Sequence, residues 1–281
     1  MLYANITERP DYVLGHSEDE LKRLIDQARF FGDLTAQVLH LAGLGPGMRV
    51  LDVGCGAGDV SFLAASIVGP QGVVIGVDRS AEAVRLATQR AAAAGLTNVH
   101  FLTQDLVDLM LDEPVDALIG RLVLMYFADP AVVLRRLTAF VKPGGVVAFQ
   151  EIDLDGAKSE PSCEQFETAL QRIRQTFTRA GVDGRTGLQL GRLFREAGLP
   201  EPRMILGARV ERGPDSLIYD QITQITRTLL PLMQRTGVAA AEAVRIETLA
   251  GRIREQAVAL NAMLISPSLI GAWAQNGVAS C

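Results

Sequence analysis

Cysteine is scarce in this 281-residue chain: three residues, at positions 55, 163 and 281. That is too few, and too scattered, for a disulfide framework or a zinc-type ligand spacing, so reduced thiols and a cytoplasmic setting are the expectation. Histidine is equally rare, with three residues, and no Ser-His-Asp order or phosphate loop is present. Positive charge is not in excess either. Lys and Arg number 27 against 32 Asp and Glu, a formal net charge of −5, which speaks against a nucleic-acid partner. Uninterrupted apolar runs are missing too. The uncharged stretch 60–77 is broken by Gly69-Pro70-Gln71-Gly72, and 256–281 by Asn261, Ser266-Pro267-Ser268 and Gln275-Asn276-Gly277. No membrane span is expected, and the first ten residues lack an apolar signal core.

What is present suits a large core: 48% hydrophobic and 21% charged residues, ordinary for a soluble globular protein. Ser17 with Glu20 forms a capping box ahead of a helix carrying Leu21, Leu24, Ile25, Ala28 and Phe31. A second helix carries Leu34, Val38 and Leu41, and Gly45-Pro46-Gly47 ends this leader. Apolar strands then alternate with helices. Strands are expected at 49–54, 73–78, 99–102, 115–121 and 146–151, and helices at about 59–68, 81–94 and 130–140. That alternation specifies a largely parallel sheet with right-handed crossovers.

Beyond residue 160 the pattern becomes mainly helical. Helices are expected at about 162–180 and 187–197, then a strand at 203–210. A helix starting at Asp215 should stop near Pro231, and a long one should run from Ile246 to Leu264, before a closing strand at 269–274.

The most informative stretch is Asp52-Val53-Gly54-Cys55-Gly56-Ala57-Gly58-Asp59. A strand runs into glycines at alternate positions and then into a helix. Glycine lets the backbone approach a ligand closely, and the helix start behind it offers unpaired N–H groups. The dinucleotide fingerprint G-x-G-x-x-G would place a glycine at Asp59, and an acid there faces a pyrophosphate badly. Asp78, ending the second strand 24 residues after Gly54, is placed to accept from both hydroxyls of a ribose. The same acid marks NAD sites, so alone it does not discriminate.

With its companions in order, D-x-G-x-G-x-G resembles the first motif of the class I S-adenosylmethionine-dependent methyltransferases of small-molecule type. The resemblance implies a Rossmann-like, doubly wound, seven-stranded, mostly parallel sheet with an N-terminal helical leader and a helical lid insertion. The leader is residues 1–44, covering the cofactor site; the methyltransferase domain is 45–281, with the lid at about 212–267. The implied cofactor is S-adenosylmethionine, leaving as S-adenosylhomocysteine.

Tyr12, in a stretch similar to the family's leaders, and Asp52, Gly54, Cys55, Gly56, Gly58 and Asp78 are the expected cofactor residues. Asp105 matches the acid that accepts from the adenine amino group, with the Leu106 backbone beside it and Arg79 flanking. Arg121 opens a stretch resembling the fourth motif, beneath the methionine part of the cofactor. Glu151 and Asp153 share one face of the fifth strand at its catalytic edge. With His16 they are the catalytic candidates, as base or as groups that orient an acceptor.

No metal is expected. Stripes of Leu and Ile in the insertion suit a small, largely apolar substrate of specialised metabolism, and they read equally as core or as a homodimer face. Two rival functions remain in view: an NAD-linked oxidoreductase, and a protein that binds S-adenosylmethionine without transferring its methyl group.

Overall fold

The computed structural model describes residues 18–277; Tyr12, His16 and Ser17 lie outside them. Helix α1 (Glu18–Ala42) is one continuous element where two were expected. The buried positions Phe31, Thr35, Val38, Leu39 and Ala42 keep helical phase across Gly32. Burying that stripe outweighs the roughly 1 kcal/mol that a mid-helix glycine costs. The helix lies close on the sheet because Gly271, with no side chain, leaves Val38 the space a Cβ would occupy.

After α1 come β1 (Arg49–Val53), α2 (Asp59–Val68), β2 (Val73–Asp78), α3 (Ala81–Ala93), β3 (Val99–Thr103), β4 (Val115–Arg121), α4 (Pro130–Thr138) and β5 (Val141–Asp153). β5 begins five residues earlier than expected, and Lys142-Pro143-Gly144-Gly145 forms a bulge inside it. Pairing with β4 jumps from Val115↔Val141 to Ala117↔Val146. Asn276 closes the gap, its carbonyl accepting from Gly144 N at 2.8 Å and its amide donating to the Val141 carbonyl at 2.8 Å.

The rest comprises β6 (Lys158–Glu160), α5 (Glu164–Arg179), α6 (Thr186–Glu196), β7 (Arg203–Gly207), β8 (Val210–Glu211), α7 (Ile218–Arg235), α8 (Ala241–Val244), α9 (Leu249–Ala259), β9 (Met263–Ile265) and β10 (Ser268–Gln275). The main sheet has the order β3-β2-β1-β4-β5-β10-β7. β10 runs antiparallel to both β5 and β7; the pairs among β1 to β5 are parallel. The expected doubly wound, seven-stranded sheet is therefore present, with its closing strand reversed beside β5.

Three expectations in the second half are corrected. The strand foreseen over 203–210 divides: β7 joins the main sheet, while β8 pairs with β9 and β9 with β6 in a separate antiparallel sheet. Strands of two or three residues are too short to show an alternating pattern. Helix α7 continues through Pro231, because Leu229 and Met233 on either side of it are both fully buried, outweighing the lost N–H bond. The long final helix is shorter than expected: Ile246–Thr248 form a 3-10 turn, α9 ends at Ala259 ahead of Asn261, whose φ of 52° is left-handed, and Leu264 belongs to β9.

Buried clusters lie on both faces of the sheet, one filled by α1 and α2, the other by α4 and α6. A third joins α5, α7 and α9 to Phe30 and Phe31 of α1 and to Met125, Ile152 and Leu154. The helical layer is thereby anchored on residues at or just past the ends of β4 and β5. Among the described residues, no helix is long and apolar enough to cross a membrane.

Candidate functional site

The turn after β1 passes through Gly54, Gly56 and Gly58 with φ of 65°, 52° and 89°, a region that favours glycine. At Gly58 a Cβ would also lie 2.8 Å from the Phe62 ring and 2.9 Å from that of Phe101; at Gly54 it would lie 2.6 Å from Val123 Cγ2. Neighbouring elements pin the turn: Cys55 N donates to the Val77 carbonyl at 3.1 Å and Gly56 N to Asp78 Oδ2 at 2.9 Å. Asp78 Oδ1 accepts from Ser80 N at 2.9 Å. The half-buried carboxylate thus ties the turn to the start of α3 with one N–H on each oxygen. A second lone pair on each oxygen remains for a pair of vicinal hydroxyls.

Asp59, the acid that opens α2, is held by Arg90 of α3 at 2.7 Å. Arg90 also donates to the Ala57 carbonyl at 2.5 Å and stacks over Phe62. Its charge is largely answered, so Asp59 repels an incoming phosphate less than the sequence alone suggests.

Beneath the turn, Asp52 is 1% exposed and accepts from Ser61 Oγ at 2.6 Å. Burial pushes its pKa up to about 7, against the hydrogen bond from Ser61 and the attraction of Arg121. Cys55 is buried too, and its thiol is pushed well up by burial and then by the charges of Asp52 and Asp78.

Arg121 Nη1 donates to Thr35 Oγ1 at 3.1 Å, and Thr35 Oγ1 lies 2.8 Å from Gln150 Oε1. The leader helix is thereby joined to the ends of β4 and β5. Thr35→Val is expected to lower stability by about 1–2 kcal/mol through the lost bonds. Urea unfolding measures it, and an unchanged midpoint would discount the link.

At the end of β3, Asp105 Oδ1 accepts from Val107 N at 2.9 Å, and Leu106 is buried. This corner adjoins Asp78, whose carbonyl accepts from Gln104 N at 3.0 Å. Arg79 is exposed beside it. Glu151 is fully buried; its Oε1 accepts from Val123 N at 2.9 Å and Leu124 N at 2.8 Å, and its Oε2 is buried without a hydrogen-bond partner. Burial outweighs these bonds and raises its pKa to about 7. Asp153 caps the turn 154–156, accepting from Asp155 N at 3.1 Å. Among the described residues, no group of three or more His, Cys, Asp or Glu is arranged to hold a metal.

Residues 44–198, which hold this entire constellation apart from Thr35, match the family described as methyltransferase domain. The chain belongs to that methyltransferase family. Membership implies S-adenosylmethionine as donor and S-adenosylhomocysteine as product.

The methyltransferase is 34% identical to an arsenite methyltransferase of Halobacterium salinarum over 140 residues, covering 50% of this chain and 36% of that protein. It is 32% identical to nocamycin O-methyltransferase of Saccharothrix syringae over 145 residues, 51% of this chain and 50% of that one. The chain thus spans about half or less of the curated relatives it matches. The crystal structure of a SAM-dependent methyltransferase from Aquifex aeolicus shares the fold, with a TM-score of 0.53, 19% identity, and coverage of 93% of this chain and all of that one.

The structure thus brings Gly54, Cys55, Gly56, Gly58 and Asp78 together in one bonded turn, with Asp52 beneath it, Arg121 reaching Asp52 electrostatically, and Asp105, Leu106 and Arg79 beside it. Glu151 lies one residue from that turn, since it holds Val123, whose side chain packs where a Cβ on Gly54 would be, while Asp153 is bound to the turn that follows its own strand. Thr35, Arg90 and Gln150 went unnoticed in the sequence because nothing local ties them to the glycine motif; Ser61, close to it in sequence, reads there only as a residue of the following helix.

Proposed function

We propose that this chain transfers a methyl group from S-adenosylmethionine to a small, largely apolar molecule. The observation that carries the reading is Asp78, held by the glycine turn and by Ser80 with a free lone pair on each oxygen, the acceptor set that a ribose requires. The donor carries a methyl group on a sulfonium, activated for in-line displacement when bound.

Asp78 receives the ribose hydroxyls, and the glycines admit the nucleoside against bare backbone. Asp105, with the Leu106 backbone, receives the adenine amino group, and Arg79 flanks it. Arg121, oriented by Thr35, takes the carboxylate end. Such clamping supplies proximity and orientation, together worth roughly 7–11 kcal/mol of a barrier. Glu151 and Asp153 enter as positioning groups, since each carboxylate is bound to a backbone turn. Glu151 fixes the turn 123–125, the floor from which Leu122 and Tyr126 meet the helical layer.

That layer, with the leader, forms the cover over the site. Its contact with Leu122 and Tyr126, both apolar and half-buried, supports an acceptor of low polarity. The curated relatives named above methylate small molecules by their names, in line with that size class.

Calorimetric titration should show S-adenosylmethionine and S-adenosylhomocysteine binding and NADH not binding. Binding of NADH alone would overturn the reading. Labelled methyl donor incubated with a panel of quinones, polyketides and amino-acid derivatives then tests transfer, and failure to label any of them would favour a binding protein.

A further inference from the structure

Helix α7 carries a polar group that the fold leaves unanswered. Gln221 sits in its first turn, among Ile218, Ile222 and Ile225. It is 5% exposed, and its Nε2 is enclosed with no hydrogen-bond partner among the described residues. The buried hydroxyls of the same helix fare differently. Thr223 and Thr226 each donate to the carbonyl four residues back, at 2.8 and 2.7 Å. An enclosed donor that has lost its water and gained no acceptor costs the fold stability and calls for a reason.

Helical phase fixes where that amide stands. Helix α7 packs against α1, α5 and α9. The Arg254 guanidinium of α9 lies over the Tyr219 ring, 5.8 Å from its centre, and Arg227 is paired with Glu247 just ahead of α9. At 3.6 residues per turn, Gln221 stands about 200° round the axis from Tyr219 and about 120° from Arg227. It is therefore on the side turned away from α9. Ile225, Thr228 and Leu232 follow it there at helical spacing, and all three are only half-buried. Ile225 and Leu232 pack into the cluster that holds Phe30 and Phe31 of α1, together with Leu122 and Tyr126. Leu122 directly follows Arg121 at the end of β4, so this side of α7 belongs to the cover over the site.

We infer that Gln221 is a specificity-determining residue for the methyl acceptor, its Nε2 donating to a carbonyl oxygen on an otherwise apolar molecule. This role rests on methyl transfer to a small, largely apolar molecule as proposed above, and adds one polar requirement to it. An amide N–H answers an acceptor lone pair. A hydroxyl would bring a donor of its own, which Ile225 and Leu232 cannot receive; a carbonyl only accepts. In an enclosed site an analogue lacking that oxygen leaves the donor unpaired, and this is what discriminates between substrates of equal size.

The full chain, loaded with S-adenosylhomocysteine, is titrated by calorimetry with two matched pairs: acetophenone against ethylbenzene, and the larger benzophenone against diphenylmethane. Within each pair the skeleton is alike and the carbonyl oxygen is the difference. At least one ketone should bind about tenfold tighter than its hydrocarbon, or more. Gln221→Met should bring that pair within about twofold, and Gln234→Met, at an exposed position of the same helix, should leave the preference intact. Gln221→Leu repeats the comparison with a second apolar side chain. Without acceptor, both Gln221 variants should melt no lower than the wild type, because an apolar group replaces an unanswered donor. Lower melting of both would mark Gln221 as structural and overturn the proposal. Equal binding within both pairs, a preference retained in the Gln221 variants, or no binding of either ketone would overturn it too. The loading step keeps the two failures apart. If S-adenosylhomocysteine does not bind, methyl transfer itself fails; if it binds and no ketone is preferred, only the role of Gln221 fails.

Discussion

Asp78→Ala is expected to weaken S-adenosylmethionine binding by about 1–3 kcal/mol, roughly fivefold to 150-fold, since bonds to a charged acceptor are worth about that much. The side chain does two things at once. It presents acceptors to the ribose and it receives Gly56 N and Ser80 N, which hold the turn against α3. Removal therefore loses contacts with the donor and loosens the loop that shapes the site. Asp78→Asn separates the two effects. Its carbonyl oxygen can still receive one of the backbone N–H groups, but its amide must face a donor, so affinity should fall nearly as far while the fold survives. Calorimetry on both variants, with circular dichroism to confirm folding, is the measurement. Wild-type affinity in Asp78→Ala would remove this residue from the site, and with it the observation on which the functional reading rests.

The reach of the sequence depended on distance along the chain. Strands β1 to β4 were legible because each is a short apolar run bounded by turn residues, and the glycine turn because its spacing is local. Asp78 and Asp105 could be placed as strand-end acids for the same reason. The bonds that join the leader to the sheet were not legible. Arg121 to Thr35 spans 86 positions and Thr35 to Gln150 spans 115, and no periodic pattern reports a bond of that range. Asp52 shows a subtler limit. It stands two residues before the first glycine, close enough to read as part of the turn, yet its side chain leaves β1 beneath α2 and meets Ser61. Pro231 and Gly32 mislead for one common reason: intrinsic preference is a weak prior, and burial of Met233 or of the Val38 stripe overrides it.

Two enclosed carboxylates set the second expectation, that this protein grows more stable as pH falls from about 7 toward 5. Burial raises Asp52 from 3.8 and Glu151 from 4.5, each to about 7. Between those limits the folded state holds protons that the unfolded chain has released, so stability is greatest below the unfolded values and is lost as pH rises through about 7. Above that both states are ionised and the dependence flattens. Each group should contribute on the order of 2 kcal/mol between pH 7.5 and 5.5, together several degrees in melting temperature. Asp116, whose pKa is lowered through bonds from Arg49 and Lys142, acts in the opposite sense but only near pH 4 and below. Asp52→Asn keeps an acceptor for Ser61, and Glu151→Gln keeps one for Val123 and Leu124, so each variant should fold and lose about half of the slope. Denaturant titrations across this pH range decide the matter. A wild-type slope retained in both variants would show that neither carboxyl carries a proton at neutral pH, and that Glu151 Oε2 remains charged inside the fold.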